Sequence, residues 1–513
     1  MEEAIRQRVR AHDKYQVEFK LDYPLLPQRR TRYQITTYIF VPSSLAIRSD
    51  TYSKTEFYRD VQNYVRLQTP LVPLHELRCA TDSPLLRLQQ LVDSLPAPQP
   101  RYAQQYTPHQ QSVDRQIVNC LKFMRTVLRS SLRLELRLIR RIERQRIDTA
   151  ARVTQFRTMI TNAIQELHAI LDHFRELGAQ LRRLRNDPQI QHAYRLADES
   201  ISLVVEEFLV NLFRLVSQTP ESTVRAEFEQ QIEAEIEAEI AYRQRVRYPA
   251  LLHPDSDNEL FLNRASTLKK YASSVLYLSL TIHREGTALE HVLFALAAGL
   301  SMIFATVVAF YFQGRYGYFT FPVFAALVVG YMFKDRIKET GRTLFAHVLR
   351  RFLFDRRVTI RTLDGKRRLG FLREKVTFVE NGAIPANVLA VRNRRFSPEL
   401  DVASSGENVI CYTKEVVLHA DAFRQIATGG PAIAGVNDIM RHDIRPYLRK
   451  MDDPYERRYY VKDGKLSLAR CHRVYYLNVV TLYTSEGKHH FQRLERTRIA
   501  LTRKGIERIE QFA

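Results

Sequence analysis

The longest run of apolar positions in the chain lies at residues 292–312 and contains no charged side chain. A second uncharged run, 316–333, follows it after Arg315. Because a helix rises about 1.5 Å per residue, the first run is long enough to cross the roughly 30 Å hydrocarbon layer of a bilayer. The two runs predict a transmembrane helical hairpin at residues 287–333. The alternative is a buried hairpin in the core of a soluble protein.

Neither run contains an ionisable side chain, which favours a membrane anchor over an ion or proton pathway. Small residues recur four positions apart in both runs, and such residues let helix backbones approach closely. The candidate helix-packing residues are Ala295, Gly299, Ala326 and Gly330. Gly299 and Gly330 lie at similar distances from Arg315, so we expect them at the same depth, either within one hairpin or between two copies.

Residues 334–357 combine helical periodicity with many basic side chains. Near a bilayer such a helix can contact anionic headgroups, with each basic residue worth about 1 kcal/mol. The candidate headgroup contacts are Lys334, Arg336, Lys338, Arg342, Arg350 and Arg351. A basic flank without lipid selectivity is the alternative. Since the turn at 313–315 holds one arginine, the positive-inside rule places it outside and both chain termini in the cytoplasm.

A helical pattern dominates residues 83–286. Over residues 153–184 a heptad repeat has apolar side chains at all ten a and d positions, as in a helical bundle or coiled coil. These positions are Val153, Phe156, Ile160, Ala163, Leu167, Ile170, Phe174, Leu177, Leu181 and Leu184. Residues 115–185 form either one long helix or two helices that break near Asp148. The expected role of the region is self-association or the docking of a protein partner.

A basic ridge precedes this heptad, with an arginine at every fourth position. Its members are Arg125, Arg129, Arg133, Arg137 and Arg141. Such a ridge can bind an acidic partner, anionic lipid or nucleic acid, or it can be a solvated helix face. The region lacks a recognised nucleic-acid module and stacking aromatic side chains, which disfavours nucleic acid. An acidic helix with Glu233 and Glu237 could dock on the ridge within one bundle.

The two ends of the chain show the period of two that is typical of strands. Residues 1–82 predict a small α+β module, in which Ser53 and Glu56 match a capping box that begins a helix. Residues 358–513 predict a mainly antiparallel β-rich cytoplasmic domain, because Asp364-Gly365 and Asp463-Gly464 are hairpin turn signals. A short helix at 504–512 would close this domain.

Composition changes this description little. The chain has 513 residues and a formal net charge of +22. Residues 334–357 alone hold eight basic and three acidic residues, so part of the excess follows from membrane topology. The mean hydropathy of −0.30 excludes a polytopic transporter but not a few spans. The four cysteines form no CxxC pair, and the first ten residues lack the apolar core of a secretory signal.

The patterns together predict an integral membrane, multi-domain α+β protein of the cytoplasmic or inner membrane. We expect a cytoplasm-facing scaffold or sensor that contacts the lipid bilayer and forms a homo-oligomer or binds a protein partner through its helical region. The alternative is a membrane-tethered enzyme or ligand-binding protein with its site in the C-terminal β-rich domain. The sequence contains no recognisable catalytic motif, and it indicates no catalytic residue, metal site or cofactor.

Overall fold

A computed structural model describes residues 5–26, 30–96, 108–144, 149–185, 187–317, 320–394, 406–424, 426, 433–486 and 491–512. The chain divides into two compact units. The sheet unit comprises Met1–Val65, Leu278–Ala420 and Asn437–Ala513. The helical unit comprises Arg66–Tyr277 and Asp421–Val436. The fold is mixed α+β, with β-strands at both ends of the chain and long helices between them.

The elements are numbered along the chain. The strands are β1 (Arg6–Ala11), β2 (Gln16–Pro24), β3 (Arg30–Pro42), β4 (Val61–Leu67), β5 (Leu278–Arg284), β6 (Arg356–Thr362), β7 (Arg368–Val379), β8 (Glu407–His419), β9 (Gly435–Asp443), β10 (Tyr455–Lys462), β11 (Lys465–His472), β12 (Tyr475–Glu486), β13 (Phe491–Thr502) and β14 (Gly505–Phe512). The helices are α1 (Lys54–Asp60), α2 (Glu76–Cys79), α3 (Pro84–Asp93), α4 (Pro108–Glu143), α5 (Thr149–Leu184), α6 (Pro188–Ser217), α7 (Ser222–Val246), α8 (Glu259–Ser273), α9 (Thr287–Tyr316), α10 (Phe321–Phe352), α11 (Ala386–Asn393), α12 (Ala420–Arg424) and α13 (Arg445–Leu448).

An antiparallel eight-stranded sheet organises the sheet unit, in the order β14-β13-β12-β3-β8-β7-β6-β5. Strand β3 pairs with β12 on one side and with β8 on the other. The N-terminal strands therefore share one sheet with the C-terminal strands, although the sequence analysis divides residues 1–82 and 358–513 into separate modules. Local patterns cannot show this pairing, because it joins segments more than 350 residues apart.

The core of the sheet unit follows from the alternation of side chains along these strands. One face of the eight-stranded sheet packs with the four-stranded sheet, whose order is β1-β2-β9-β4. Ile39 and Val41 of β3 lie in this core together with Phe19 of β2. On the opposite face of the large sheet, Phe40 packs with Val388 of α11. The large sheet is therefore the middle layer, which explains its nearly continuous apolar strands.

A buried ionic cluster links strands within the sheet unit. The ammonium of Lys414 on β8 lies 2.6 Å from the Asp438 carboxylate on β9 and 3.7 Å from the Glu374 carboxylate on β7. The amide of Asn63 on β4 donates to Glu374 at 2.7 Å. All three charged side chains are almost completely buried, so each requires its partners to offset the cost of desolvation. The cluster therefore fixes the relative positions of β4, β7, β8 and β9.

For residues 115–185 the sequence allows either one long helix or two. The structure has two, because α4 ends at Glu143 and α5 begins at Thr149. Eight of the ten heptad positions are buried inside the chain, and Val153 and Leu184 are half-buried. They pack against α3, α4 and α6. The heptad stripe is therefore covered by neighbouring helices of the same chain.

Helix α6 begins after Asp187, which caps it by accepting a hydrogen bond from the Gln189 amide at 2.7 Å.

Two local expectations have clear outcomes. The capping box at Ser53 is confirmed, since its hydroxyl accepts from the Glu56 amide at 3.2 Å and the Glu56 carboxylate accepts from the Ser53 amide at 2.7 Å. The helix expected at 504–512 is wrong. This segment is strand β14, which pairs with β13 and packs Ile506 and Ile509 against the core. Tertiary pairing outweighs local helix propensity here.

His442 makes the stability of the sheet unit sensitive to acid. Its ring is buried between Phe57 and Tyr447, with ring centroids 5.4 and 5.5 Å away. Burial lowers the pKa of His442 to about 4, from about 6.5 in the unfolded chain. Between these two pKa values the histidine is protonated in the unfolded chain and neutral in the folded chain, which favours unfolding. The stability that this group contributes is therefore complete above pH 6.5 and is lost as the pH falls toward 4. We expect this group alone to cost about 2 kcal/mol of unfolding free energy at pH 5 relative to pH 7.

The measurement is urea unfolding of the full chain in detergent, followed by circular dichroism at both pH values. His442→Phe keeps an aromatic ring and removes the titration, so its loss of stability should be smaller than that of the wild type by this amount. Equal losses in the two proteins would contradict the prediction.

Candidate membrane-contact site

Helix α9 begins at a glycine that allows close packing. Gly286 precedes the helix with φ of +80°, a conformation that side-chain-bearing residues rarely adopt. A Cβ atom at Gly286 would lie 2.0 Å from Leu353 Cδ1, directly after the end of α10. The start of α9 and the end of α10 are therefore in contact, and Gly286 is a packed position.

Apolar side chains of α9 are mostly exposed. Ile303, Val307 and Phe310 are 61%, 60% and 69% exposed, and they lie on one face at helical spacing. Ala297 and Ser301 are the buried residues of this helix. Among the described residues, α9 is the one helix that is long and apolar enough to cross a membrane. An apolar surface of this extent marks a contact with lipid or protein.

Helix α10 joins the second predicted span and the predicted basic helix into one element, Phe321–Phe352. Pro322 lies in its first turn, where the missing amide proton costs least. The helix is uncharged only as far as Phe333 and would rise about 20 Å over that part. Residues 318–319, which belong to the uncharged run 316–333, lie outside the described residues. The second helix is therefore shorter as an apolar element than the sequence run suggests.

Three contacts establish how α9 and α10 pack antiparallel to each other. Besides the contact between Gly286 and Leu353, a Cβ atom at Gly341 would lie 3.1 Å from Ala297 Cβ, and one at Gly330 would lie 3.3 Å from Val308 Cγ1. The residue numbers in each pair add to nearly the same value, so the register is continuous. It places Lys334 beside Phe304 and Lys338 beside Leu300. The charged part of α10 therefore lies alongside the middle of the apolar stretch of α9.

This register determines where the predicted packing residues lie. Gly330 is buried against α9, and Ala326 is half-buried. Ala295 and Gly299 are exposed on α9, and no atom lies within 4 Å of a Cβ built on Gly299. Gly299 and Gly330 are thus not neighbours, because Gly330 packs against Val308. The turn predicted at 313–315 is wrong, since α9 continues through these residues to Tyr316. Gly341 packs against Ala297. It is not among the predicted packing residues, because it lies among charged residues outside both uncharged runs.

The predicted headgroup contacts are distributed around α10 and differ in exposure. Arg336 and Arg342 are exposed, and Lys334 and Lys338 are half-buried. The Lys334 ammonium lies 3.8 Å from the ring centroid of Tyr331, an arrangement that keeps a cation beside an apolar surface. The positions of Arg350 and Arg351 follow from the helix, while their side chains lie outside what the structure describes.

Strands β5 and β6 hold the two ends of this helical pair together. Strand β5 leads into α9 and β6 follows α10, and they pair antiparallel from Leu278↔Thr362 to Arg284↔Arg356. Asp355, between α10 and β6, accepts hydrogen bonds from Lys54 at 2.7 Å and from the Val376 amide at 2.8 Å. Both ends of the helical pair are therefore anchored in the same eight-stranded sheet as the strands from the two chain ends.

The arginine ridge of α4 has a different environment. Arg125 is buried and donates to Ser200 Oγ of α6 at 3.0 Å, and burial lowers the pKa of its guanidinium to about 10. Arg129 donates to both carboxylate oxygens of Glu207 on α6 at 3.0 Å. Arg133 reaches the same carboxylate at 3.5 Å. Three of the five ridge arginines thus contact α6 of the same chain.

The acidic helix α7 contacts α5 and not the ridge. Its Glu239 accepts from Arg175 at 2.6 Å, and its Glu235 lies 2.7 Å from the His168 ring. The prediction that α7 docks on the ridge is therefore wrong. The ridge instead contacts the acidic side chain of Glu207, which belongs to α6. Arg137 donates to a carbonyl of its own helix at 3.2 Å, and Arg141 is exposed. These two arginines form the solvated end of the ridge.

Within the described residues, no group of three His, Cys, Asp or Glu side chains is arranged to hold a metal ion. No protein-family model, curated protein or solved structure matches the chain.

The register of the helical pair can be tested by disulfide formation. The distance between Ala297 Cβ and the Cβ position of Gly341 approaches that of disulfides, so we expect Ala297→Cys/Gly341→Cys to cross-link under mild oxidation. Gly299→Cys/Gly330→Cys tests the register that the sequence suggests, and it should not cross-link within one chain. Peptide mass mapping identifies the linked residues in the presence of the native cysteines. A preference for the second pair would refute the register.

Proposed function

We propose that the chain is a membrane-anchored scaffold that holds both of its units on one side of a bilayer. The exposed apolar surface of α9 and of the first part of α10 carries this proposal, because burial of that surface in lipid is favourable by about 25 cal/mol for each Å². The predicted hairpin at 287–333 supplies the anchor. The pairing of β5 with β6 supports a topology in which both flanks emerge on the same side.

The eight-stranded sheet also includes strands near both chain ends. Strand β3 near the N-terminus and strands β12, β13 and β14 near the C-terminus belong to the sheet that holds the ends of the anchor. A folded sheet cannot be divided by a bilayer. This supports a location of both chain ends on the anchored side, and the basic residues of α10 favour the cytoplasmic side.

Two insertion depths fit such an anchor, and charge distinguishes them. If the whole uncharged run 292–312 of α9 lay in the hydrocarbon layer, the register would bring in the charged residues beside it. These are Lys334, Asp335, Arg336, Lys338, Glu339 and Arg342. If only the uncharged tip inserted, about 20 Å deep, Arg315 would be the charged residue in the layer. One such charge costs about 3 kcal/mol on insertion scales, and several cost more. The register therefore favours insertion of the tip from one side over two complete crossings.

The scaffold role is assigned to the helical unit. Helices α4, α5, α6 and α7 have 36, 36, 30 and 25 residues, and their outer faces provide long surfaces for a protein partner. Self-association remains part of the proposal. The burial of the heptad stripe within one chain favours an outer helix face, or the exposed face of α9 around Gly299, as the surface between copies.

Membrane attachment can be tested by vesicle flotation. We expect the full chain to float with phosphatidylcholine vesicles and to stay bound in high salt and alkaline carbonate. Ile303→Asp/Val307→Asp/Phe310→Asp should abolish this binding, because each charge opposes insertion by about 3 kcal/mol. The matched control is Tyr459→Asp/Val461→Asp/Leu466→Asp on the β10–β11 hairpin, where the exposed fractions are 69%, 70% and 71%. Flotation that survives the first set, or that only the second set abolishes, would refute the anchor.

The insertion depth can be measured with tryptophan, which the chain lacks. Phe304→Trp marks the level of Lys334, and Phe321→Trp marks the tip. Quenching by lipids brominated at known depths should place the residue at 321 deeper than the residue at 304 if the tip inserts from one side. Two complete crossings predict the reverse order, with 304 near the bilayer centre. That reversed order would refute the shallow insertion while leaving the anchor intact.

A further inference from the structure

A cavity of about 440 Å³ lies on the face of the eight-stranded sheet that points away from the four-stranded sheet. Strands β3, β6, β7 and β8 form it. Its lining residues are Arg30, Arg32, Arg357, Phe371, Arg373, Glu415 and Val417. Four of these seven side chains carry a positive charge and one carries a negative charge, so the cavity is strongly basic.

Two of these arginines are held in place by carboxylates. Arg32 donates to Glu415 at 2.8 Å, and Arg373 contacts the other oxygen of the same carboxylate at 2.5 Å. Glu415 is almost completely buried, so it orients both guanidinium groups from beneath. Arg373 also lies 3.3 Å from the Glu285 carboxylate. The fork of each guanidinium is thus preorganised, which lowers the entropy cost of binding a ligand.

Arg30 and Arg357, the other two lining arginines, lie near further positive charge. Arg357 lies directly opposite Arg373 on the neighbouring strand, a like-charge arrangement that destabilises a sheet. Arg357 and Arg368 both lie over the ring of Phe371, at 4.0 and 5.3 Å from its centroid. Burial, together with the charges of Arg357, Arg361 and Arg30, lowers the pKa of Arg368. Repulsion of this kind would be relieved by a bound anion.

The position of the cavity relates it to the anchor. Glu285, which contacts Arg373, immediately precedes the Gly286–α9 junction, and Phe354, whose ring centroid lies 4.5 Å from the Arg373 guanidinium, follows α10 closely. The cavity therefore lies at the base of the helical pair. If the anchor inserts as proposed, this base faces the layer of lipid headgroups.

We propose that this cavity binds a phosphate-bearing anion through Arg30, Arg32, Arg357 and Arg373. Arginine forks match phosphate oxygens in bidentate geometry, and the surplus of positive charge suits a multiply charged phosphate group. A lipid headgroup and a soluble phosphate compound supply the same chemistry. The cavity lies at the base of the anchor, and this position favours the lipid headgroup. That choice rests on the proposed membrane function.

The test uses the full chain and two variants. Arg30→Gln/Arg357→Gln removes two cavity charges that have no carboxylate within ion-pair distance among the described residues, so folding should be preserved. Arg457→Gln/Arg458→Gln removes two exposed charges from β10 as the matched control. Circular dichroism verifies that both variants fold like the wild type.

Vesicle titrations supply the first measurement. Vesicles of phosphatidylcholine that contain a phosphorylated inositol lipid should bind the wild type about tenfold more tightly than phosphatidylcholine alone, since basic side chains at a membrane surface attract anionic headgroups. The cavity variant should lose this gain, and the control variant should retain it within about twofold. A cavity variant that binds like the wild type would overturn the proposal.

Calorimetric titration with inorganic pyrophosphate in detergent supplies the second measurement and does not depend on a membrane. Pyrophosphate binding that the cavity variant loses, without any preference for the inositol lipid, would support the site and identify a soluble phosphate as its source. The same binding by a chain that fails to float with vesicles would support the cavity and refute the anchor. If neither probe binds to the wild type, the cavity proposal is refuted.

Discussion

Strands β5 and β6 pair in antiparallel register, and the helices that they enclose continue the same register. Leu278 lies opposite Thr362, Gly286 contacts Leu353, Ala297 contacts Gly341, and Val308 contacts Gly330. One antiparallel excursion therefore runs from the edge of the eight-stranded sheet along α9 and back along α10. The hydrogen bonds of the ladder fix its base, and small residues allow the two helices to approach along its length.

The position of charge along this excursion follows from the register. Because the basic part of α10 returns beside the apolar middle of α9, the apolar tip common to both helices is shorter than either uncharged run. The basic residues of α10 and the cavity arginines lie toward the same end, since Arg373 contacts residues that adjoin both α9 and α10. Basic side chains of α10 and of the cavity thus lie where the proposed anchor would meet a membrane surface.

Several elements could be predicted from the chain because their causes are local. The capping box at Ser53 lies within four residues, the break at Asp187-Pro188 depends on one proline, and the Asp463-Gly464 turn depends on two backbone conformations. The heptad of α5 also identified its buried face correctly. What covers that face could not be predicted, because α3, α4 and α6 offer apolar stripes that periodicity alone cannot match to one another.

The candidate sites divide in the same way. Composition by itself determined that an uncharged stretch near the spanning length exists and that basic residues follow it, because hydropathy is a property of each residue. The tertiary structure decided that α9 extends to Tyr316, that Gly341 packs against Ala297, and that arginines from β3, β6 and β7 line one cavity together with Glu415. The physical reason is that strand pairing and helix register are set by contacts between residues tens to hundreds of positions apart, which leave no periodic trace in the sequence.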